Sequence, residues 1–413
     1  MKKKVLLASS IGNALEFFDF TLYGAFLSII AENFFPTENQ TASLLMTLGV
    51  FGVGFIMRPF GALFFGYFGD LFGRKKALSY AVFLMGIPTF MIGILPNYDQ
   101  IGIAASIIIL SGRLIQGFCL GGEYNGAAIF AIEHSQKKPG LTGGIITGSC
   151  VAGAFLATAS GTLTQLPDMP DWSWRIPFLF GIVVSILGYY IRKNLLESPD
   201  FINDTSKSKE SILEVISSRK RSCLLSFCFG GLNGALSYTL FAFLNIYLSR
   251  YLNFSLASAM EVNLFGLLAF MIGSPLLGIL YDKFPNFSCL RIISYTLFFS
   301  LIPIFWLLSC ELYILVVLGQ ILLGLCTASI AGTGHAVMQK LFPVKERYRG
   351  ISFCFSLGIG IFGGLSPIIY VNAIEVHKES LYFPAIFLMF LVVLFYTSLK
   401  ISNTFTIKRK FIK

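Results

Sequence analysis

Long apolar runs separated by short polar segments cover most of the chain. Twelve such runs can be marked, each of roughly 20 residues, the length that an α-helix needs to cross a bilayer. They are centred near Asp19, Val53, Gly86, Leu110, Gly153, Val183, Leu236, Phe270, Phe299, Leu325, Gly360 and Leu391. Backbone groups in hydrocarbon must be hydrogen-bonded within the segment, so these runs favour helices over the short alternating strands of a β-barrel. The pattern predicts an all-α membrane protein with twelve transmembrane helices.

Composition agrees with this pattern, because charged residues make up 13% of the 413 residues and hydrophobic residues 55%. Soluble domains hold roughly 25% charged residues. Of the 31 Lys and Arg, 26 fall in the loops and tails on one side, a set that includes Arg192 after the sixth run. Positive charge marks the cytoplasmic side, so both termini are predicted to be cytoplasmic. The net charge of +10 therefore needs no nucleic-acid partner.

Several function classes lack their sequence signatures. The eight cysteines lie in or at the ends of apolar runs without a C-x-x-C pair, which is typical of small buried hydrophobes rather than metal ligands. No G-x-x-x-x-G-K-[ST] loop and no nucleophile constellation is present. Glu16 and Asp19 interrupt the first apolar run, which favours an uncleaved span over a signal peptide. We expect neither an enzyme nor an ATP-driven pump, with no metal and no cofactor besides a proton gradient.

The longest polar stretch divides the chain into two halves of six runs each. Gly66 and Asp70 in the first half recur in register as Gly278 and Asp282 in the second. This echo suggests duplication, and transporters built from paired halves place the substrate site where the halves meet. The predicted organisation is a six-helix half at 1–192, a cytoplasmic linker at 193–221, a second six-helix half at 222–400 and a basic cytoplasmic tail at 401–413.

Sequence blocks along almost the whole chain carry a family resemblance. They lie at Gly12 to Gly24 (GNALEFFDFTLYG), Arg58 to Gly61, Gly66 to Lys76, Arg113 to Glu123 (RLIQGFCLGGE), Trp174 to Phe178, Glu197 to Phe201 and Arg347 to Ser352. On these blocks the chain resembles the major facilitator superfamily and, within it, the metabolite:proton symporter family that includes bacterial proline and betaine transporters. The resemblance implies the major facilitator fold and transport by alternating access, and we expect a monomer in the bacterial inner membrane.

Five charged residues fall within the spans of the first half: Glu16, Asp19, Arg58, Arg113 and Glu123. Each would cost roughly 2.5 to 3.5 kcal/mol at a helix centre, so we expect these side chains to pair or to face a water-filled cavity. Our hypothesis is that Glu16 or Asp19 carries the coupled proton, since desolvation favours the protonated carboxyl group. A purely structural ion pair is the alternative, and Glu123 could instead be solvated at the cytoplasmic end.

Arg113 is predicted to pair with one of these carboxylates in one state and with a substrate carboxylate in another, because its planar fork suits carboxylates. At 100° per residue, the polar residues of span one form one stripe and those of span four another, and the two stripes could face each other. The predicted substrate site comprises Arg113, Tyr23, Asn13, Gln116, Tyr124, Glu123, Tyr238 and Asn245.

A gate is predicted at the loop between the second and third spans, where glycines allow a tight turn and close helix approach. Asp70 is expected to meet the positive N-terminus of span eleven near Arg349. The predicted gating set is Arg58, Asp70, Gly66, Gly73, Arg74 and Arg349. Two alternatives are that Arg58 snorkels toward the headgroups and that Arg74 only enforces topology.

The expected function is import of a small zwitterion such as proline or glycine betaine together with protons. One buried arginine set against carboxylates suits a zwitterion better than a dicarboxylate. The alternatives are a 2-oxoglutarate-like organic acid symporter, a passive uniporter, and a receptor or scaffold that binds its ligand without moving it. The expected partners are the small-molecule substrate, protons and the lipid bilayer.

Overall fold

The structure is a computed structural model that describes residues 2–134, 137–166, 168–193, 197, 212–284, 287–310, 312–376 and 382–410. Within these ranges all regular secondary structure is helical. Twelve helices are long and apolar enough to cross a membrane, which confirms the prediction from the apolar runs.

The twelve membrane-spanning helices are numbered here in chain order. Spans 1 to 6 comprise Val5–Ala25, Gln40–Gly69, Lys75–Ile94, Ile103–His134, Pro139–Thr164 and Arg175–Lys193. Spans 7 to 12 comprise Lys220–Tyr251, Leu256–Lys283, Ser288–Leu308, Tyr313–Leu341, Glu346–Val376 and Phe383–Ser402. We call the membrane face that carries the connections between spans 2 and 3, spans 4 and 5, and spans 10 and 11 the basic face, and the other the opposite face.

Local chemistry explains where several of these helices begin and end. Asn39 caps the helix Gln40–Ile56, accepting hydrogen bonds from the backbone N–H groups of Thr41 and Ala42. Gly73, at φ 100°, ends the helix Arg58–Phe72 in a conformation that favours glycine. The next helix therefore starts at once, at Arg74.

Two spans of the second half contain π-helical turns. In span 7 these are Thr239–Phe243 and Tyr247–Tyr251, and in span 11 the turn is Ile359–Gly363. A π turn inserts a residue into the α-helical ladder and is frequent at functional sites. The turns Thr239–Phe243 and Ile359–Gly363 lie within the apolar part of their spans, whereas Tyr247–Tyr251 ends span 7.

The most extensive contacts between the halves involve three pairs of spans. Span 5 packs on spans 8 and 10, and span 2 packs on span 11. A Cβ on Gly278 would lie 2.2 Å from the backbone oxygen of Gly140, so span 8 and span 5 touch backbone to backbone. Small residues allow such close approach between membrane helices.

The linker and tail of the predicted organisation are described in part. Residues 198–211 lie outside the described residues, whereas Ile212–Ser218 is a short helix and span 7 already begins at Lys220. The last helix, Phe383–Lys410, continues past the predicted start of the tail at residue 401.

Candidate functional site

A small cavity of about 20 Å³ lies between the halves. Both halves contribute to its wall, which consists of Phe17, Arg58, Tyr124, Thr147, Cys150, Val151, Asn233, Gly234, Ser237, Tyr238, Phe241, Phe270, Ala331 and Ile359. Among these residues Arg58 is the charged one, and five others are aromatic. In this conformation the volume is room for about one water molecule, far below the roughly 300–1,000 Å³ of open small-molecule sites, so the cavity must widen to admit a ligand. An anionic group would meet one counter-ion there, Arg58.

Arg58 lies in this wall and is buried, with 3% exposure, so it does not snorkel to the headgroups. Its Nη2 donates a hydrogen bond to Tyr238 Oη at 2.8 Å, and its guanidinium lies 4.5 Å from the ring centre of Phe55. Its Nε has no hydrogen-bond partner. One donor of this buried cation is therefore left over for a ligand.

Arg113 is fully buried behind a set of rings rather than in the cavity wall. Its guanidinium lies 4.4 Å from the ring centre of Phe20, 4.5 Å from Tyr23 and 5.3 Å from Phe51. Its Nη1 donates to Gln116 Oε1 at 2.7 Å. The predicted ion pair with Glu16 or Asp19 is not formed in this conformation.

The carboxylates of spans 1 and 4 instead share Arg192. This arginine was placed in the cytoplasmic loop by its sequence position, but that assignment was wrong, because Arg192 lies in span 6 with 2% exposure. Its Nη1 forms an ion pair with Glu123, its Nη2 lies 4.0 Å from Glu16 Oε2, and Nη1 also donates to the backbone oxygen of Leu78 at 3.1 Å. Its long side chain reaches inward from the last turn of the span.

The alternative of a solvated Glu123 is also wrong, since this side chain is fully buried. Asp19, one turn farther along span 1 than Glu16, lies beside Gly181 and Ser185 of span 6. The two predicted stripes thus do meet, but through Arg192 on one side of the bundle and through Tyr23 and Arg113 on the other. We call Glu16, Asp19, Glu123 and Arg192 the carboxylate cluster.

Two other residues of the predicted substrate site form hydrogen bonds to neighbouring helices. Asn13 donates to the backbone oxygen of Ile146 at 3.1 Å and to Cys150 Sγ at 2.7 Å. Asn245 accepts a hydrogen bond from Asn263 at 3.0 Å. Both amides therefore join helices in this conformation, a common role of polar side chains in membrane bundles.

One predicted gating residue of span 2, Gly66, contacts span 11 at the basic face, beside the predicted gating residue Arg349. A Cβ on Gly66 would lie 3.5 Å from Tyr348 and 3.7 Å from Arg349, so span 2 passes directly over the start of span 11. The side chains of Asp70 and Arg74 lie outside the described part of the structure. Their predicted roles stay predictions.

The second-half copy of the motif shows the interaction that was predicted for Asp70. Asp282, at the end of span 8, accepts hydrogen bonds from the N–H groups of Gly140 at 2.7 Å and Leu141 at 2.9 Å, which begin span 5. A carboxylate there is stabilised by the positive end of the helix dipole. Glu197 likewise accepts from the N–H of Lys75, at 3.3 Å to each oxygen, at the start of span 3.

Contacts across the halves also lie at the opposite face. Arg250 of span 7 donates to Thr41 of span 2 at 2.5 Å and forms an ion pair with Glu375 of span 11 at 3.0 Å. At the basic face, Tyr348 donates to the backbone oxygen of Gly122 at 2.6 Å. Polar contacts thus join the halves on both sides of the cavity.

The buried charges are distributed unevenly between the halves. Within the described ranges, every acidic or basic side chain below 9% exposure, histidine aside, lies in the first half: Glu16, Asp19, Arg58, Arg113, Glu123, Glu133 and Arg192. The second half supplies aromatic and amide groups to the cavity, among them Asn233, Tyr238 and Phe270.

Comparison with known proteins decides the family. The sequence profile of the Major Facilitator Superfamily matches residues 9–347. The chain belongs to the major facilitator superfamily. It is a membrane transporter and not an enzyme. This major facilitator protein is 33% identical over 413 residues to the proline/betaine transporter of Escherichia coli K12, covering 95% of its own chain and 81% of that relative.

Two further relatives carry related names. The glycine betaine/proline/ectoine/pipecolic acid transporter OusA of Dickeya dadantii is 32% identical, with the same two coverages of 95% and 81%. A putative proline/betaine transporter of Staphylococcus aureus is 34% identical over 89% of this chain and 81% of that relative.

Solved structures agree on the fold. The xylose transporter XylE of Escherichia coli in a partially occluded inward-open conformation gives a TM-score of 0.73 over 96% of each chain at 14% identity. The human organic anion transporter of the same superfamily gives 0.70 over 96% of this chain and 99% of its own at 16% identity. At such identities the likeness shows the fold alone.

Proposed function

We propose that this major facilitator protein imports a small zwitterion, proline or glycine betaine, together with protons across the bacterial cytoplasmic membrane. The basic face and both termini are cytoplasmic in this proposal, and the protein acts as a monomer. The observation that carries the proposal is a small central cavity walled by one arginine and five aromatic rings, beside a buried carboxylate cluster. The names of the relatives support the choice of substrate.

In this proposal the cavity widens on opening and takes the substrate in one orientation. Its carboxylate binds Arg58, whose Nε is unpartnered and whose Nη2 is held by Tyr238. Its ammonium group lies against the ring faces of the wall, since aromatic faces attract quaternary ammonium ions. This orientation reverses two roles suggested by the sequence: Arg58 becomes the substrate ligand, whereas Arg113 supports the adjacent rings.

The cavity also separates the proposal from its alternatives. A dicarboxylate would place two negative charges where one cation lines the wall. A passive uniporter has no use for the buried carboxylates Glu16, Asp19 and Glu123, which are costly to retain within a membrane. A receptor would bind its ligand without accumulating it.

The test is uptake of labelled proline, glycine betaine and 2-oxoglutarate in a transporter-deficient bacterial host, with and without a proton ionophore. We expect acid-stimulated, ionophore-sensitive accumulation of proline or betaine. Arg58→Gln is expected to raise KM for betaine at least tenfold, because a charge-assisted hydrogen bond is worth about 1.5–3 kcal/mol. Uptake of 2-oxoglutarate alone would overturn the substrate, and ionophore-insensitive uptake would overturn the coupling.

A further inference from the structure

The contact between Glu123 and Arg192 was not visible in the sequence, and it bears on where the coupled proton resides. Arg192 bridges two carboxylates on different helices, Glu16 of span 1 and Glu123 of span 4. All three side chains are at most 2% exposed. Gly12 makes room for the guanidinium, since a Cβ there would lie 2.5 Å from Arg192 Nε.

The charges of this triad do not balance without a proton. Two carboxylates and one guanidinium carry a net charge of −1, and a buried uncompensated charge is strongly unfavourable. Two carboxylates that share a site titrate as a pair, and one of them is protonated far more readily than an isolated acid. One bound proton makes the triad neutral.

The neighbouring charges leave this balance unchanged. The titratable groups that face the triad from the surrounding helices are Asp19, Arg58, Cys119, Cys150 and Tyr348. Of these, Asp19 adds one negative charge and Arg58, which acts on Glu16, adds one positive charge, so the five charged groups together still carry a net charge of −1. Arg113 is turned away, toward the rings of Tyr23 and Phe51.

We propose that Glu16, Arg192 and Glu123 form one proton-binding unit, in which the coupled proton is shared by the two glutamates and Arg192 is their common counter-ion. The proposal rests on the proton coupling proposed above and refines where that proton is held. Arg192 is a positioning residue here, and Glu123 is a proton carrier rather than a substrate ligand.

The unit lies next to a contact between the halves, which gives it a route to water. Tyr348 of span 11 donates to the backbone oxygen of Gly122, the residue before Glu123. When span 11 moves away from span 4 at the basic face, this contact breaks and the Glu123 side of the unit becomes accessible. Proton release is thereby linked to opening of the basic face.

The experiment compares two readouts in the same membrane vesicles: proton-driven accumulation of labelled betaine, and betaine exchange at equal pH and concentration on both sides. Exchange needs folding, binding and conformational change but no net proton transfer. We expect Glu123→Gln to lower accumulation at least tenfold and to keep exchange within threefold, because Glu16 and Arg192 are then neutral without a proton. Glu261→Gln, an exposed site near the opposite face, is the matched control and should leave both unchanged.

A charge-compensated variant makes the test specific. Arg192→Gln alone leaves two carboxylates without a counter-ion, so both stay protonated and accumulation is lost. The double variant Glu123→Gln with Arg192→Gln leaves Glu16 alone, which is neutral with one proton, and should restore at least a third of wild-type accumulation with its pH dependence.

Three results would overturn the proposal. One is wild-type accumulation in Glu123→Gln, and another is loss of exchange in parallel with accumulation in Glu123→Gln and Glu123→Asp, which marks a structural role. The third is proton-driven accumulation in the double variant that is no higher than in either single variant. If wild-type accumulation itself is insensitive to the ionophore, the coupling in the proposed function fails first and this refinement fails with it.

Discussion

Asp282 holds the two halves together at the basic face, and its removal should loosen that face by a measurable amount. Its carboxylate accepts two backbone hydrogen bonds, at 2.7 and 2.9 Å, from the first turn of span 5. Asp282→Asn keeps one acceptor oxygen but loses the charge and one bond. A hydrogen bond to a charged group is worth about 1.5–3 kcal/mol. Because the side chain is half-buried, solvent screening reduces the expected loss to about 1–2 kcal/mol.

This stabilisation free energy is lost only in the conformation closed at the basic face. Asp282→Asn therefore shifts the conformational equilibrium toward the conformation open at that face. At 1.4 kcal/mol per factor of ten, the shift is about 5- to 30-fold. Cys150 lines the central cavity and reports on access to it. In a variant that keeps Cys150 as its sole cysteine, Asp282→Asn should speed labelling by an impermeant maleimide from the basic face by that factor.

The controls for this labelling experiment lie next to the mutated site. Asp282→Glu keeps the charge and should change the rate less than threefold, and Lys283→Gln, at the exposed neighbouring position, should not change it. Labelling of Cys150 at the parental rate in Asp282→Asn would refute the reasoning. It would show that the contact forms equally in both conformations.

Three further substitutions probe other contacts. Gly278→Ala places a Cβ 2.2 Å from the backbone oxygen of Gly140 and so forces spans 5 and 8 apart. Cys150 labelling from the basic face should therefore rise, and uptake should fall at least fivefold. Gly49→Ala is the control and should match the wild type, because a Cβ there meets nothing within 4 Å. Tyr238→Phe removes the partner of Arg58 and should raise KM for betaine about tenfold with little change in maximal rate, measured by initial uptake. Arg250→Gln breaks a half-exposed contact between the halves and should speed Cys150 labelling from the opposite face about two- to fivefold.

The fold was predictable because a bilayer imposes a strong rule. Helices are required wherever backbone crosses hydrocarbon, so the apolar runs alone predict twelve spans. The contact expected of Asp70 stays a prediction, while its second-half counterpart Asp282 forms a contact of that kind with the start of span 5. A contact between a carboxylate and the start of a helix can be anticipated from local sequence, because helix ends are themselves marked in the sequence.

The candidate site was predictable only in part, because helical periodicity shows which side chains share a face but not which helix that face meets. Glu16 and Arg113 were identified as buried charges, yet their partners proved to be Arg192 and a set of rings. Arg192 was missed because a basic residue directly after an apolar run usually marks the membrane boundary. Gly12 leaves space for the Arg192 guanidinium, but this role can be recognised only once spans 1 and 6 are known to be neighbours.

The unequal distribution of buried charge has a consequence for how such a transporter diverges. Histidine aside, all the buried acidic and basic side chains of the described structure lie in the first half, while the second half lines the cavity with rings, amides and hydroxyls. Substitutions at Asn233, Ser237 or Phe270 can reshape the cavity without disturbing any ionisable group. Evolution can thus change the substrate while the proton-binding residues of the first half are kept. A designer can do the same by exchanging second halves between relatives.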